Sequence, residues 1–509
     1  MALTAGTRGG LGLGNLHWRV AQRLTVAQGL AFAPGMQRQR MRVGAELRDS
    51  GEIDVVVNPY DGSPVREVAV ASAGDIDDAI ERAVAAFEHT RRLPAHRRAA
   101  LAQGVAARIG ERAEALAQGI TAESGKPITL SRAEVARAQT TFSLAAAACY
   151  DVGGQVHPVD LSAAAEGRLC LHVRVPRGPV AAIAPFNFPL NLIAHKLAPA
   201  LAVGASTVLK PPPQCPLTGL SLAEILVEAG APDGAISALH CSPDTAQRMV
   251  EDPRMRVLSF TGSDRVGWRL KALAGPKQVL LELGGNAPCV LDRGVDVEAI
   301  MPRLLTGAWG HAGQVCIKVQ RVLVHRSYHD AFLDAFVRHT EALAVGDPTD
   351  PATVVGPMID VDAADRVVRW VDEATRAGAV VHCGGRRERS VVWPTVLTGV
   401  PADAKVLTDE VFGPVTVVQP YEDFGEALRS CNAGRYGLQA GVFTRDIGRA
   451  LHAFETLDYG GVMINDVPTF RVDNFPYGGV KDSGFGREGV RFAMEEMSEP
   501  KVLVMRGLP

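Results

Sequence analysis

Between Val180 and Leu283 the residue period changes repeatedly, and this alternation limits the fold more than any other feature of the chain. Val180–Ala184, Ser206–Leu209, Ile236–Cys241, Arg256–Phe260 and Val279–Leu283 are short β-rich runs. Leu190–Val203, Leu217–Ala229 and Arg265–Leu273 carry apolar residues at helical spacing. Parallel strands need a crossover of a dozen or more residues between them, and a helix supplies it. Strands alternating with helices of this length predict βαβ units and a parallel sheet. Such sheets bind nucleotides beyond the carboxyl ends of their strands.

A second series of the same class follows. It has runs at Val319–Val324, Ala379–His382, Val415–Val418 and Gly441–Phe443, a helix after Tyr328 and another near Phe424–Cys431. At 509 residues the chain is too long for one ordinary core, so two or three domains are expected. Upstream, Asp75 is read as the cap of a helix with Ile76, Ile80, Val84 and Phe87 on one face. Leu101, Val105, Ile109 and Leu116 mark a second helix that stops at Ser124-Gly125-Lys126-Pro127. Arg168–Val175 alternates like a strand pair. No Asp or Glu precedes Glu46, while Arg8, Arg19, Arg23, Arg38, Arg40 and Arg42 do. An acid-free, Arg-bearing leader fits an organelle transit peptide. Its poor amphipathic pattern favours a disordered extension over 1–40, or a working chain that begins near Met41.

Charge and cysteine usage exclude several classes of function. A net charge of −3, with both signs mixed throughout, leaves no footprint for nucleic acid or an anionic membrane. No apolar run is long enough to span a bilayer. The eight cysteines, at 149, 170, 215, 241, 289, 316, 383 and 431, include no C-x-x-C pair and no zinc-ligand spacing. No metal is expected, and scattered thiols in a large chain indicate a cytosolic compartment.

Several motifs bear groups able to do chemistry. Cys316, in Gly313-Gln314-Val315-Cys316-Ile317, is a nucleophile on a loop between a helix and a β-run. Glu282 ends an apolar run before two glycines, where partial desolvation would raise its pKa toward that of a useful base. The alternatives are a buried inert thiol, expected for the other seven cysteines, and a structural ion pair. Asn187 sits in Pro185-Phe186-Asn187-Phe188-Pro189, where two prolines stiffen the backbone. It suits an oxyanion hole and a helix cap equally. Lys210 ends a β-run, where ribose and phosphate dock, but by itself reads more readily as a surface lysine. Phe260-Thr261-Gly262-Ser263 joins a strand to a helix whose N-terminus offers free N–H groups to a phosphate, though without a Gly-x-Gly-x-x-Gly the motif alone reads first as an ordinary capped helix. Glu410-Val411-Phe412-Gly413-Pro414 pairs an acid with a ring. Pro476-Tyr477-Gly478-Gly479-Val480-Lys481, running on to Glu488, is a Gly-rich loop placed to cover a site.

In this order the motifs resemble the aldehyde dehydrogenase superfamily, from about Met41 to the C-terminus. Phe470–Asn474, Gly489–Met497 and Gln314–Ile317 look most like the branch of lactaldehyde dehydrogenase and related small-aldehyde enzymes. The resemblance implies an α/β fold in three parts. These are a Rossmann-like NAD(P)-binding domain (41–151 and 178–284), a catalytic domain (285–484) and a small β oligomerisation arm (152–177 and 485–509). It implies Cys316 as nucleophile and Glu282 as general base. By the same resemblance the Asn187 side chain, with the Cys316 backbone N–H, would form the oxyanion hole. The resemblance further implies that Lys210, Gly262, Ser263, Glu410, Phe412 and Phe186 would bind NAD or NADP, and Lys196 and Glu488 match positions linked with proton relay. The implied reaction oxidises a small aldehyde to its acid through a thiohemiacetal and a thioester, in a cytoplasmic homodimer or homotetramer. The rivals are a CoA-acylating relative, which would lack a base such as Glu282, and a catalytically silent binding protein.

Two departures bear on the cofactor. Pro213 stands where many NAD-preferring relatives carry a Glu, which removes one reason to exclude NADP+. Asp244, in His240-Cys241-Ser242-Pro243-Asp244, is a candidate to disfavour a phosphate. Arg471 is equally a contact for an anionic substrate tail and a surface ion-pair partner.

Overall fold

The computed structural model describes residues 38–507. Five parallel strands form the middle of an eight-stranded sheet, in the spatial order Gln278–Glu282, Val257–Thr261, Val180–Ile183, Thr207–Lys210 and Ile236–Ala238. Chain order reverses between Val180–Ile183, whose crossover runs to one side, and Val257–Thr261 on the other. At such a reversal the two crossovers diverge and leave a crevice beyond the strand ends. Register aligns those ends in a row. Lys210 pairs with Ile183, Ile183 with Phe260, and Thr261 with Glu282.

Helices cover both faces, as a parallel sheet requires. On one face Ala95–Glu111, Ile128–Ala148, Asn191–Val203 and Pro216–Glu228 share a core that includes Ile109, Phe142, Leu197 and Leu220. On the other, Ala73–Thr90, Pro243–Glu251 and Asp264–Leu273 pack around Ile76, Met249 and Leu270. The first of these begins at Ser72, not Asp75. Ser72 accepts from the Asp75 N–H, and Asp75 returns the bond as the third helical residue of a capping box. The helix expected through Leu101–Leu116 is two helices, broken at Arg112, whose φ of −107° leaves the helical region.

Glu282 leads directly into the second, seven-stranded sheet through Leu283-Gly284-Gly285-Asn286. The strand Ala287–Leu291 lies there beside Val319–His325, with Ala287 opposite Val319. This pairing brings the turn after Glu282 against the loop before Val319, which holds Cys316. A three-stranded sheet stands apart, with Arg168–Pro176 between Gln155–His157 and Ser498–Arg506. The alternation at Arg168–Val175 is therefore one long strand between two others. Arg38–Gln39 pairs with Pro64–Ala69, so the extension expected over 1–40 is ordered strand at its end. The rest of that expectation lies outside the described residues. No described helix is long and apolar enough to cross a membrane.

Candidate active site

One cleft of about 1190 Å³ opens at the strand reversal. Phe186, Asn187, Lys210, Gly262, Ser263, Glu282, Cys316, Glu410 and Phe412 all line it, and so do Arg137, Arg471 and Tyr477. Lys196 and Glu488 are buried behind its wall. Seven cysteines are buried, and Cys316 alone of the eight is partly exposed.

The loop before Cys316 is held in a costly shape. His311 and Ala312 have φ of 51° and 52°, and Gly313 has 67°. A Cβ at Gly313 would collide with the Gly413 carbonyl, and one at Gly285 with the Cys316 carbonyl. Both glycines therefore let backbones meet where the two sheets join. Gln314 ties the loop down, accepting from the Ile359 N–H at 2.9 Å and donating to the His311 and Pro357 carbonyls, each at 3.3 Å. Burial pushes the Cys316 thiol up to about 11, against a hydrogen bond from Tyr477 that pulls it down.

Asn187 donates from Nδ2 to the Gln314 carbonyl at 3.1 Å, which fixes its side chain beside Cys316 and leaves one amide N–H uncommitted to that bond. The loop carrying it is anchored from behind. Glu134 Oε1 accepts from the Leu190 and Asn191 N–H groups at 2.8 and 3.1 Å, meeting donors that a helix start leaves open. Its Oε2 pairs with the buried Lys126 ammonium, which lies 3.8 Å from the centre of the Phe188 ring. Neither Lys126 nor Glu134 stands out in the sequence. Each is a polar residue at a core position; Lys126 enters the sequence reading only as part of a helix stop, and Glu134 belongs to no motif.

Glu282 is buried, and its Oε2 has no hydrogen-bond partner among the described residues. Burial, then the nearby Glu488 charge, pushes its carboxyl well above the usual range; Arg471, Lys196 and Arg487 act against this. Burial would raise Glu488 also, but Lys196, His195 and Arg471 outweigh it and hold that carboxyl low, near 2. Lys196 Nζ donates to Glu488 at 3.3 Å, Thr261 at 2.6 Å and Ser259 at 3.2 Å. Two carboxyls thus share one buried cluster with opposite proton affinities. Arg471 donates to Glu488 Oε2 at 3.1 Å, while its Nε has no partner among the described residues. Arg137 holds both Asp473 carboxylate oxygens along one guanidinium edge, donating from Nη2 at 2.6 Å and from Nε at 3.3 Å. It comes from mid-helix, 336 residues away from its partner, and no sequence signal marks it.

Further along the cleft the donor set suits a dinucleotide. Lys210 supplies an ammonium at the strand ends. Ser263 is the N-cap of Asp264–Leu273 but makes no side-chain cap bond, which leaves its hydroxyl and the helix N–H groups for a phosphate. Glu410 accepts from the Gly285 N–H at 3.0 Å, and burial lifts its carboxyl to about 7. The Phe186 and Phe412 rings meet edge to face at 5.8 Å. Asp244 is exposed on the first turn of Pro243–Glu251, next to Pro243, which lines the cleft.

Comparison with known proteins gives the same direction. The model of the aldehyde dehydrogenase family matches residues 47–503. A 3-sulfolactaldehyde dehydrogenase of Priestia megaterium is 39% identical over 464 residues, 91% of this chain and 97% of that protein. A lactaldehyde dehydrogenase of Methanocaldococcus jannaschii is 38% identical over 456 residues, 88% of this chain and 96% of the other. Among solved structures, aldehyde dehydrogenase 21 of Physcomitrella patens in complex with the reaction product succinate aligns with a TM-score of 0.91. It is 43% identical and covers 92% of this chain and 98% of its own. Glyceraldehyde-3-phosphate dehydrogenase of M. jannaschii complexed with NADP aligns at 0.87, with 37% identity over 90% of this chain and all of that one.

Proposed function

The chain belongs to the aldehyde dehydrogenase family, whose NAD(P)+-dependent oxidation of small aldehydes it performs, and on that premise we propose that its substrate is a small aldehyde with an anionic tail. The single observation that carries this is a pair of guanidinium groups, Arg471 and Arg137, lining the cleft that also holds Cys316. Arg471 lines the cleft together with Cys316 and brings a permanent positive charge to it, which an anionic tail would meet. The sulfonated substrate named for one relative and the succinate bound to another support the reading.

In the proposed mechanism Cys316 Sγ attacks the aldehyde carbon to form a thiohemiacetal. The second N–H of the Asn187 amide and the Cys316 backbone N–H hold the oxygen that becomes negative. NAD(P)+, when bound, supplies the hydride acceptor. Lys210 would hold the adenosine ribose, Gly262 and Ser263 the pyrophosphate, and Glu410 the second ribose, with Phe186 and Phe412 beside the nicotinamide. Glu282 then takes a proton from the water that hydrolyses the thioester. Lys210, Pro213, Gln214 and Gln247 present no carboxylate on their stretch of wall, which supports use of NADP+ as well as NAD+.

The proposed domain division is 41–151 and 178–284 for the cofactor, 285–484 for catalysis and 152–177 with the C-terminal strand for the arm. Helix Val490–Glu496 packs against Asn191–Val203, which supports counting 485–497 with the cofactor domain. Val173, Val502, Leu503 and Val504 are exposed on the arm, as expected if it pairs subunits in a homodimer or homotetramer. Eight free thiols support a cytoplasmic location.

A panel of sulfonated, carboxylated, phosphorylated and neutral small aldehydes, each with NAD+ and NADP+, tests the reading. Anionic aldehydes should have the highest kcat/KM. Arg471→Gln should lower it about ten- to a hundred-fold for them and far less for neutral ones. Equal losses on both kinds would take Arg471 out of substrate recognition.

A further inference from the structure

The Gly-rich loop brings one more group to the reacting sulfur. Tyr477 Oη lies 3.3 Å from Cys316 Sγ. The tyrosine is buried with Ile317 and Leu438, and it is fixed from two sides. Its backbone exchanges hydrogen bonds with Glu488, at 3.0 Å from the Tyr477 N–H and 2.7 Å from the Glu488 N–H. The Arg471 guanidinium sits 3.6 Å from the centre of its ring. The hydroxyl is therefore tied, through main chain and ring face, to the same cluster that holds Glu282 and Lys196.

We propose that the Tyr477 hydroxyl is a catalytic group, which donates a hydrogen bond to the Cys316 thiolate and makes the nucleophile available at a lower pH. This rests on the reading of Cys316 as nucleophile. When the S–H bond breaks, its proton leaves to solvent and the electron pair stays on sulfur, where the phenol O–H can donate to it. Charge-assisted bonds of this kind are about twice as strong as neutral ones. Four groups act on the sulfur. Burial opposes the thiolate most; the Tyr477 hydroxyl and the Arg471 charge favour it, and the Glu410 and Glu282 charges disfavour it. Burial also holds the Tyr477 phenol well above its ordinary value, which favours the protonated form that can donate. An uncharged donor has an advantage here. It stabilises the thiolate without placing another full charge between two carboxyls.

The test is the rate of Cys316 alkylation by iodoacetamide against pH, in wild type, Tyr477→Phe and Cys316→Ala. The other seven thiols are buried, so the fast phase reports Cys316. Tyr477→Phe keeps the ring beneath Arg471 and the backbone bridge to Glu488, and its thermal unfolding should match wild type. Its alkylation profile should move up by about one pH unit, making alkylation about tenfold slower below the transition. An unmoved profile overturns the proposal. Cys316→Ala should lose both the fast phase and turnover. If it still oxidises aldehyde, the nucleophile reading itself falls, whatever Tyr477→Phe does.

Discussion

Replacing Glu282 by Gln removes a proton-accepting oxygen and almost no volume. Its surroundings favour the uncharged acid: burial and Glu488 raise the carboxyl well above the usual range, and Oε2 has no partner among the described residues. A glutamine amide has the same shape and the same lack of charge, so the cost to folding should stay near about 1 kcal/mol. Catalysis should respond very differently. A positioned general base contributes about a hundred- to ten-thousand-fold. At about 1.36 kcal/mol per tenfold this is about 3–5 kcal/mol on the barrier to thioester hydrolysis. Rapid mixing of enzyme, NAD(P)+ and aldehyde, followed by absorbance of the reduced nicotinamide, separates the steps. Glu282→Gln should give a burst of about one equivalent per site at a rate close to wild type, then a steady phase slower by the factor above. The pH profile adds a sign. A base works only when deprotonated, so the wild-type steady rate should rise with pH through a pKa well above that of an ordinary carboxylate. The variant should lack that limb. A steady rate equal to wild type, or a burst lost together with the steady phase, would refute the assignment of Glu282 to hydrolysis.

Two further outcomes follow from the groups around it. Asn187→Ala should lower kcat about a hundred- to a thousand-fold with little change in cofactor affinity, measured by steady-state kinetics and cofactor titration; a loss under about threefold would take the amide out of the oxyanion hole. Glu134→Gln leaves the Lys126 ammonium buried beside a neutral partner, and should cost about 3–5 kcal/mol by denaturant unfolding. Adding Lys126→Met should recover part of that loss, and no recovery would show that the ion pair is not what the first change broke.

The parallel sheet was legible because its signal is local. Short β-branched runs and helical apolar spacing fall within windows of a few residues, and the strands from Val180 to Glu282 emerge within a few residues of where those windows put them. Ile128–Ala148 escaped the reading for the opposite reason. It buries Ser131, Glu134 and Thr141, so its inward face does not look apolar. Arg112 breaks a helix whose apolar spacing continues past it, because the backbone there follows packing and not composition.

The cleft shows the same division. Composition and motif order alone established the residue types, the chain class and the candidate nucleophile and base. Their meeting depended on Ala287 pairing with Val319, which carries the turn after Glu282 to the loop before Cys316. Tyr477 against Cys316, Arg471 against Glu488 and Arg137 against Asp473 likewise join separate segments. Local periodicity records which face of an element is apolar. It carries no information on which distant element covers that face, since register and chain path are set by packing across whole sheets. The sequence therefore determined the parts and their order, and the tertiary structure decided which side chains meet.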